Sequence, residues 1–459
     1  MTYRVGEMTF FYTPLLGGGT MITGYRGPSD VEIPAYISGP VTYINNGRIF
    51  AGKGLTSVTF PPSLIFIGTN AFRDNKLTTL VLPNGLTTIG YYSFYGNALQ
   101  EVKLPGTITF FGDYAFSNNR LTRVEIPAGL SQIGKSAFSN NKISELVFEP
   151  NSRIEEISWH AFEYNELVKV EIPEGISTMD SYVFSHNKLT EVVIPNGVTR
   201  IFQNAFAYNK LTEANIPDSV IDLSGFAYNE LTSLEIPSNV EEIGRDAFRE
   251  NKLRQISFLG DSIKIIDERA FSNNLLETVD IPIGVQIIKY HAFERNKLVS
   301  VSLPDGITKI WFNAFGNNDI KEITIPDSII ELAGFNGNQL TDIKIPENVW
   351  LIGASAFTRN ALQKIDLPKK VIYIMEKAFA ENKLETVVIH GDSVFIGENA
   401  FINNPITNIT IGENADWNPL PYLPPFGNGF EKAYGDNGKK AGTYTRTDTN
   451  STEWTFSEL

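Results

Sequence analysis

Apolar and polar positions alternate along this chain in a pattern that repeats about every 22 residues. The segments LTTLVLPNGLTTIGYYSFYGNA from Leu77 and LTRVEIPAGLSQIGKSAFSNNK from Leu121 share the pattern L-x-x-V-x-I-P-x-x-L-x-x-I-x-x-x-A-F-x-x-N-x. Its first residue recurs 17 times from Leu55 to Ile406, and twelve of the 16 intervals are 22 residues, the others being 24, 23 and twice 20. An internal repeat of this length predicts stacked turns, each burying its apolar face against its neighbours.

Each part of the pattern predicts one part of a turn. In L-x-x-V-x-I the apolar and variable positions alternate, which is typical of a β-strand with one buried face. Proline then ends the strand, because it has no N–H to donate to a neighbouring strand. Strands of successive turns would lie about 4.8 Å apart in one parallel sheet. The remaining apolar positions and the A-F step predict short strands and turns on the other side.

Two residue types recur once per turn and predict internal columns. An asparagine follows each repeated phenylalanine by three residues, from Asn75 to Asn404, and its amide could bond backbone groups of its own and the adjacent turn. We interpret the phenylalanine column and the asparagine column as structural, not as ligand sites. The phenylalanines are Phe72, Phe94, Phe116, Phe138, Phe162, Phe184, Phe206, Phe226, Phe248, Phe271, Phe293, Phe315, Phe335, Phe357, Phe379 and Phe401.

These residues resemble the leucine-rich repeat superfamily and, more narrowly, the BspA-like repeats of bacterial surface antigens. The segment LTSLEIPSNVEEIGRDAFREN carries that signature, L-x-x-[VI]-x-[IL]-P followed by I-G-x-x-A-F-x-x-[NC]. The resemblance implies a leucine-rich repeat solenoid with a parallel β-sheet on the concave face, short strands or 3-10 turns on the convex face, and β-like end caps. It also implies secretion or display at the cell surface, and adhesion to host or matrix proteins, without catalysis.

Three segments are expected. Residues 1–27 are predicted to form an N-terminal cap, and residues 28–411 the solenoid, with one irregular first turn before 17 regular ones. Residues 412–459 are predicted to form a C-terminal β-like cap with AGTYTRT and STEWTF as strands, and a separate small binding module is the alternative. The two 20-residue turns, from Leu211 and Ile320, indicate either duplication of a five-turn block or a notch at each place.

Composition and charge exclude several classes of partner and site. A formal charge of −14 argues against nucleic acid or anionic lipid as partner, because both require a positive protein surface. The absence of cysteine excludes disulfides and thiolate metal sites, and no apolar run is long enough to predict a transmembrane segment. The first 20 residues show no signal-peptide pattern, although a chain trimmed of its signal would look the same. An extracellular or cell-surface location therefore rests on the resemblance.

The titratable residues predict no active site. The four histidines, His160, His186, His291 and His390, have no metal-ligand spacing, and the repeat brings no Ser-His-Asp set together. We therefore expect no enzyme, metal or cofactor.

Candidate binding residues lie at outward strand positions and before the A-F step. The outward positions mix charges, which suits either cross-strand pairing or a protein-binding face. The exposed aromatics suit either partial burial between turns or a binding strip. The concave-face candidates are Glu101, Arg123, Glu145, Lys169, Glu191, Lys103, Glu125 and Glu171, and the aromatic candidates are Tyr91, Tyr92, Tyr114, Trp159, Tyr182 and Trp311.

The leading hypothesis is a scaffold that binds a protein ligand, such as a matrix or host surface protein. A carbohydrate-binding module that uses the tyrosines and tryptophans is one alternative, and a targeting domain of a larger protein is another.

Overall fold

A computed structural model of the chain describes residues 1–417 and 423–458. It contains two compact units, the first comprising residues 1–220 and 224–230 and the second residues 221–223 and 231–459. Of the predicted C-terminal cap, residues 418–422 and 459 lie outside the described residues. Each unit is a stack of turns built almost entirely of β-strands, as the repeat predicts.

The first unit contains seventeen of the described strands. They are β1 (Thr2–Val5), β2 (Met8–Pro14), β3 (Thr20–Arg26), β4 (Asp30–Glu32), β5 (Val41–Ile44), β6 (Ser57–Thr59), β7 (Phe66–Ile67), β8 (Thr88–Ile89), β9 (Phe110–Phe111), β10 (Arg123–Ile126), β11 (Gln132–Ile133), β12 (Glu145–Phe148), β13 (Glu156–Ile157), β14 (Lys169–Glu171), β15 (Thr178–Met179), β16 (Glu191–Val193) and β17 (Arg200–Ile201).

The second unit continues the same plan and adds one short helix. Its elements are β18 (Asp222–Leu223), β19 (Ser233–Ile236), β20 (Glu242–Ile243), β21 (Gln255–Phe258), β22 (Ile265–Ile266), β23 (Thr278–Asp280), β24 (Ile287–Ile288), β25 (Ser300–Ser302), β26 (Lys309–Ile310), β27 (Glu331–Leu332), β28 (Leu351–Ile352), β29 (Lys364–Leu367), β30 (Tyr373–Ile374), β31 (Thr386–Ile389), β32 (Phe395–Ile396), β33 (Asn408–Ile411), α1 (Phe430–Asp436), β34 (Gly442–Thr445) and β35 (Thr455–Ser457).

Most turns contribute strands to two sets of parallel ladders. The L-x-x-V-x-I segments form the strand face, where β10 pairs with β12, β29 with β31, and β31 with β33. The second apolar pair of each turn forms a ladder of two-residue strands, which in the second unit runs from β18 through β20 to β32. Burial alternates along β10, since Val124 and Ile126 are fully buried while Arg123 and Glu125 are exposed.

The strand prediction fails in five turns of the described chain. The L-x-x-V-x-I segments that begin at Leu77, Leu99, Leu211, Ile320 and Leu340 form no strand, and the first two are joined only by a single bridge between Val81 and Lys103. Leu211 and Ile320 begin the 20-residue turns, and Leu340 begins the turn that follows the second of them. A strand needs a partner in register on a neighbouring turn, and the shortened turns disturb that register.

The two predicted columns are present. All sixteen repeated phenylalanines are fully buried, and neighbouring rings within a unit stack, for example Phe162 on Phe184 at 5.5 Å between centroids. Asparagine amides run beside them. Oδ1 of Asn119 accepts the Leu99 N–H at 3.1 Å, while Nδ2 donates to the Phe94 carbonyl at 2.9 Å. The asparagine thus closes its own turn and links it to the turn before.

The A-F segment forms the turn side of the molecule. Residues two before and two after the core phenylalanine have positive φ, for example Tyr182 at 62° and His186 at 54°. Left-handed backbone is uncommon for residues other than glycine, and here it alternates with tight turns. In one of these turns, the Ala71 N–H bonds the Gly68 carbonyl at 3.2 Å. The predicted turns opposite the strand face are therefore confirmed.

The two shortened turns need glycine where they lose two residues. Gly225 has φ +100°, and an added Cβ would lie 2.9 Å from both Ile201 Cγ2 and the Phe202 carbonyl oxygen. Gly334 adopts φ +96° at the equivalent place. The glycine therefore lets the chain reach the next core phenylalanine with two residues fewer, and that phenylalanine keeps its place in the column.

Both ends of the chain continue the aromatic column. At the N-terminus, the antiparallel strands β1, β2 and β3 lie beside β5, and Phe10, Tyr25 and Phe50 extend the stack outward from Phe72. At the C-terminus, β34 pairs antiparallel with β33, and β35 pairs antiparallel with β34, so both predicted strands are present. The helix α1 was not predicted; it buries Phe430 and Tyr434, and Phe430 contacts Phe426, which stacks on Phe401 at the end of the column.

Candidate functional site

The strand face carries the predicted charged residues in register. Arg123 lies directly opposite Glu145, and Arg123 Nε is 3.0 Å from Glu145 Oε1. Lys169 lies opposite Glu191, with Nζ 3.1 Å from Glu191 Oε1 and 3.2 Å from Glu171 Oε1. These hydrogen bonds, to Glu191 first and Glu171 second, raise the pKa of Lys169.

The remaining strand-face candidates occupy the same outward columns. Glu125 Oε2 lies 3.8 Å from Arg123, while Glu101 and Lys103 are exposed on the turn before. Lys103 takes part in a single parallel bridge with Val81. The structure therefore brings the eight candidates onto one face, but not into one continuous network.

A cleft separates Glu145 from Lys169. It has a volume of about 780 Å³ and lies between β12 and β14. Among the described strands, β12 pairs with β10 alone and β14 with β16 alone. The short-strand ladder is interrupted at the same step, since β13 pairs only with β11, and β15 is joined only to strands that follow it.

An insertion in the sequence coincides with this cleft. The turn from Ile143 is the 24-residue turn, and five residues separate Phe148 from Ile154 where regular turns have three. The extra residues bring Asn151 and Ser152 to the cleft wall. The 24-residue interval was therefore the sequence signal for this site.

The turn side remains closed across the same step. Phe162 N–H bonds the Val183 carbonyl at 3.0 Å, and Asn187 Nδ2 donates to the Phe162 carbonyl at 3.0 Å. The turns thus stay joined at the phenylalanine and asparagine columns while they separate at the strand face. The cleft is a wedge that opens toward the strand face.

The cleft wall combines half-buried apolar side chains with acidic groups. Leu146 and Phe148 of β12 are half-buried, whereas Val124 and Ile126, at the same positions one turn earlier, are fully buried. The charged residues that line the cleft are Glu145, Glu149, Glu171, Glu174 and Lys169. Such a surface can bind a polar, net cationic partner that also offers apolar contact.

The aromatic candidates lie on or beside the turn side, and most of them contact another aromatic ring. Tyr92 stacks on Tyr114 at 4.6 Å and 7° between planes, and the Arg73 guanidinium lies 5.1 Å from the Tyr92 centroid. Tyr182 stacks on His160 at 4.9 Å. Partial burial between turns, one of the two interpretations, therefore describes these tyrosines.

The other aromatic candidates are more varied. Tyr91 is exposed and meets the edge of Phe110 at 5.7 Å, and Trp311 packs beside Tyr290 at 4.7 Å. Trp159 is 53% exposed, with Lys135 Nζ at 5.8 Å from its ring. Of the six candidates, Trp159 is the most open to a ligand.

Sequence reasoning missed a second aromatic stack on the turn side. Tyr164, His186, Tyr208 and Tyr228 lie face to face at 4.3, 4.2 and 4.2 Å between successive centroids. All four follow the core phenylalanine by two residues, so an alignment of the turns on that phenylalanine would have shown them. Because their faces contact one another, they present ring edges outward.

Two histidines approach one carboxylate beside this stack. His160 Nδ1 lies 2.9 Å from Glu163 Oε2, and His186 Nδ1 lies 3.8 Å from Glu163 Oε1. Burial lowers the pKa of His186, and the Glu163 carboxylate offsets part of this effect. In the described part of the chain, no group of three or more His, Asp or Glu side chains is placed to hold a metal ion.

Comparison with known proteins identifies the repeat. Residues 42–153, 124–229, 220–334 and 328–417 match the model of the BspA type leucine rich repeat region, and together they cover most of the chain. No curated protein matches the sequence. Within the described residues, the helix present lacks the length and apolar character needed to cross a membrane.

Several solved structures are similar to this chain, and the first of them shows the same architecture. A leucine-rich repeat protein from Bacteroides ovatus is 22% identical, with 68% of this chain and 91% of that chain covered and a TM-score of 0.51. A leucine rich cell surface protein from Faecalibacterium prausnitzii is 26% identical over 83% and 92% of the two chains, with a TM-score of 0.39. YopM from Yersinia enterocolitica is 17% identical over 85% and 87%, with a TM-score of 0.46. From the family match over residues 42–417, we conclude that this chain belongs to the BspA-type leucine-rich repeat family.

Proposed function

We propose that this protein is a non-catalytic scaffold, secreted or held at the cell surface, that binds a protein partner through its strand face. The observation that carries the proposal is the cleft between β12 and β14, where the regular stack opens onto that face. Adhesion through a host or matrix protein is the form of binding that the family favours.

The dimensions of the strand face support a protein as partner. Eight regular turns begin within the first unit, and a spacing of about 4.8 Å between strands gives their face a length on the order of 35 Å. A stable protein interface buries about 800 Å² on each side. The exposed charged pairs along the face, such as Arg123 with Glu145, suit the polar rim of such an interface.

The side chains of the cleft support binding rather than catalysis. Leucine-rich repeat proteins generally act as scaffolds, and the cleft contains carboxylates and one lysine but neither histidine nor serine paired with a base. Its acidic character favours a partner with a basic contact surface.

A deletion tests this function. Removal of residues 167–210 takes out two whole turns, one of which forms a wall of the cleft, and keeps both ends. The intact protein and this variant would be immobilised and exposed to serum, matrix proteins and bacterial lysate. Each captured protein would be identified by mass spectrometry and measured again in purified form. We expect the deletion to abolish binding of the partner.

The matched control removes residues 276–319, which are also two whole turns of 44 residues. It should retain the partner, because it leaves β12 and β14 unchanged. Equal binding by the intact protein and the 167–210 deletion would contradict the proposal for the cleft. Capture of no protein by the intact chain would contradict the function itself.

A further inference from the structure

The free backbone edge of β12 points into the cleft. Glu145 N–H bonds back to the Thr122 carbonyl at 3.4 Å, and Glu149 N–H bonds back to the Ile126 carbonyl at 3.0 Å. Alternate residues of a parallel strand direct their N–H and C=O groups to opposite neighbours. The backbone groups of Leu146 and Phe148 therefore face the cleft, where a regular stack would place the next turn.

The opposite wall presents the matching edge of β14. Ile172 N–H bonds forward to the Val193 carbonyl at 3.2 Å, away from the cleft. By the same alternation, the backbone groups of Lys169 and Glu171 face toward β12. The cleft is thus bounded by two strand edges that the regular steps of the solenoid would have joined to each other.

These edges select the conformation of the partner. Unpaired strand edges are filled by an extended chain, which supplies N–H and C=O groups at the same spacing. A helix, with a diameter of about 10–12 Å, bonds its backbone internally and has no donors to offer a strand edge. The half-buried Leu146 and Phe148 add apolar contacts for every second side chain of such a strand.

The charge of the cleft selects the composition of the partner. Four glutamates and one lysine line it, and Lys169 is already engaged by Glu191 and Glu171. Glu174 is exposed at the rim. Side chains of a bound strand that face these carboxylates would be stabilised if they were lysine or arginine.

We propose that the cleft binds an extended segment of the protein partner, with basic and apolar residues in alternation, as an added strand on the free edge of β12. This inference rests on the proposed function and names the mode of binding. Backbone pairing supplies the affinity, Leu146 and Phe148 take the apolar side chains, and Glu171 and Glu174 take the basic ones.

Peptide binding to the full chain tests this inference. The probe is an end-blocked, fluorescently labelled octapeptide of alternating lysine and valine, measured by fluorescence anisotropy. A second probe has the same sequence with N-methyl groups on alternate residues along one edge of the strand, and a third replaces lysine by glutamate. We expect the N-methylated probe to bind at least about tenfold more weakly, because several backbone donors are lost, and the acidic probe not to bind.

Two charge reversals locate the site. Glu171→Lys should weaken binding of the basic probe by about fivefold. Glu235→Lys is the matched control, because Glu235 is exposed at the same position of its turn on β19, which pairs with β21. It should bind the probe as the unmodified protein does. Hydrogen exchange should show the Leu146 and Phe148 amides becoming protected when the basic probe binds.

Equal binding of the N-methylated probe would overturn strand addition, and equal effects of Glu171→Lys and Glu235→Lys would overturn the assignment to the cleft. If the basic probe does not bind while the intact chain still captures a protein, this inference fails and the proposed function stands. If the probe binds at the cleft and no protein is captured, the proposed function fails instead.

Discussion

Asn187 Nδ2 donates a hydrogen bond to the Phe162 carbonyl at 3.0 Å, across the step at which the strand face opens. The same amide donates to the Phe184 carbonyl at 3.1 Å, and its Oδ1 accepts the Leu167 N–H at 3.0 Å. Nδ2 also donates to the Ser185 carbonyl at 3.2 Å, so one buried side chain bonds four backbone groups on two turns. It holds the solenoid together on the side away from the cleft.

Replacement of this amide should weaken the first unit. Asn187→Ala leaves the buried Leu167 N–H without its acceptor, and it removes one of two amide donors from each of the Phe162 and Phe184 carbonyls, which keep Asn165 and Asn209. We therefore expect a loss of about 1–3 kcal/mol in the free energy of unfolding. Asn187→Asp keeps an acceptor for Leu167 but loses the donor. Urea denaturation followed by circular dichroism measures both, and hydrogen exchange at Leu167 should rise more in the alanine variant.

The control for this prediction is Lys188→Ala, because Lys188 is exposed and pairs with Glu166 only at the surface. Its effect should stay below about 0.5 kcal/mol. A loss of similar size in both variants would contradict a structural role for the asparagine amide.

The phenylalanine column should respond to the size of the side chain. Phe162→Ala removes a ring stacked on both Phe138 and Phe184, so we expect a loss of about 3–5 kcal/mol. Phe162→Leu fills most of the space and should cost about half as much or less. Thermal unfolding of the two variants beside the exposed Trp159→Ala checks this. If Phe162→Ala were no worse than Trp159→Ala, the column would not support the stack.

Asp180 should give the first unit a measurable pH dependence. Burial, followed by the charge of Glu156, raises the pKa of the Asp180 carboxyl from 3.8 to about 6. Between these values the folded chain holds a proton that the unfolded chain has released. Stability from this group therefore falls as pH rises from about 4 to about 6 and is level above that.

Asp180→Asn should remove this dependence. Because Asp180 is half-exposed, solvent screening reduces the effect, and we expect the variant to be about 1 kcal/mol more stable than the unmodified protein at pH 7. The difference should vanish near pH 4. Urea denaturation at several pH values measures it, with Glu174→Gln as an exposed control. A constant difference across the range would contradict the shifted pKa.

The repeat made the main features of the fold predictable. A position that recurs in every turn has the same surroundings in every turn, so the phenylalanine and asparagine columns follow from the period. The same reasoning placed Arg123, Glu145, Lys169 and Glu191 on one face. Their mixed charges suited cross-strand pairing, and the structure pairs Arg123 with Glu145 and Lys169 with Glu191, on opposite sides of the cleft.

The features that the sequence did not predict depend on differences between turns. The insertion before Ile154 is visible as a long interval in the repeat. The repeat length alone does not predict that this insertion interrupts both ladders between the turns from Ile143 and Leu167. In the 23-residue turn from Leu253, β21 lacks pairing to β23 among the described strands, while β22 still pairs with β24. Helix α1 lies outside the repeat and has only seven residues, too few for helical periodicity to be distinctive.

The aromatic candidates allow a test of the carbohydrate alternative. Sugar rings stack on open aromatic faces, and the facing surfaces of Tyr92 and Tyr114 are in contact with each other. We therefore expect Tyr92→Ala to leave any signal on a glycan array unchanged, and Trp159→Ala to remove it if the protein binds glycans. Loss of glycan binding in Tyr92→Ala would favour the carbohydrate-binding module over the protein-binding scaffold.

Shortening the 24-residue turn should close the cleft. Deletion of Glu149 and Arg153 leaves Phe148-Pro150-Asn151-Ser152-Ile154, which has the spacing of the regular segment Ile236-Pro237-Ser238-Asn239-Val240. With three residues between the two apolar positions, β12 and β14 can pair as regular turns do. Burial of Leu146 and Phe148 should then stabilise the first unit by about 1–2 kcal/mol. Their amides should exchange more slowly with solvent, and binding of the partner should be lost although the fold is strengthened. A stabilised protein that still binds its partner would place the interface elsewhere on the strand face.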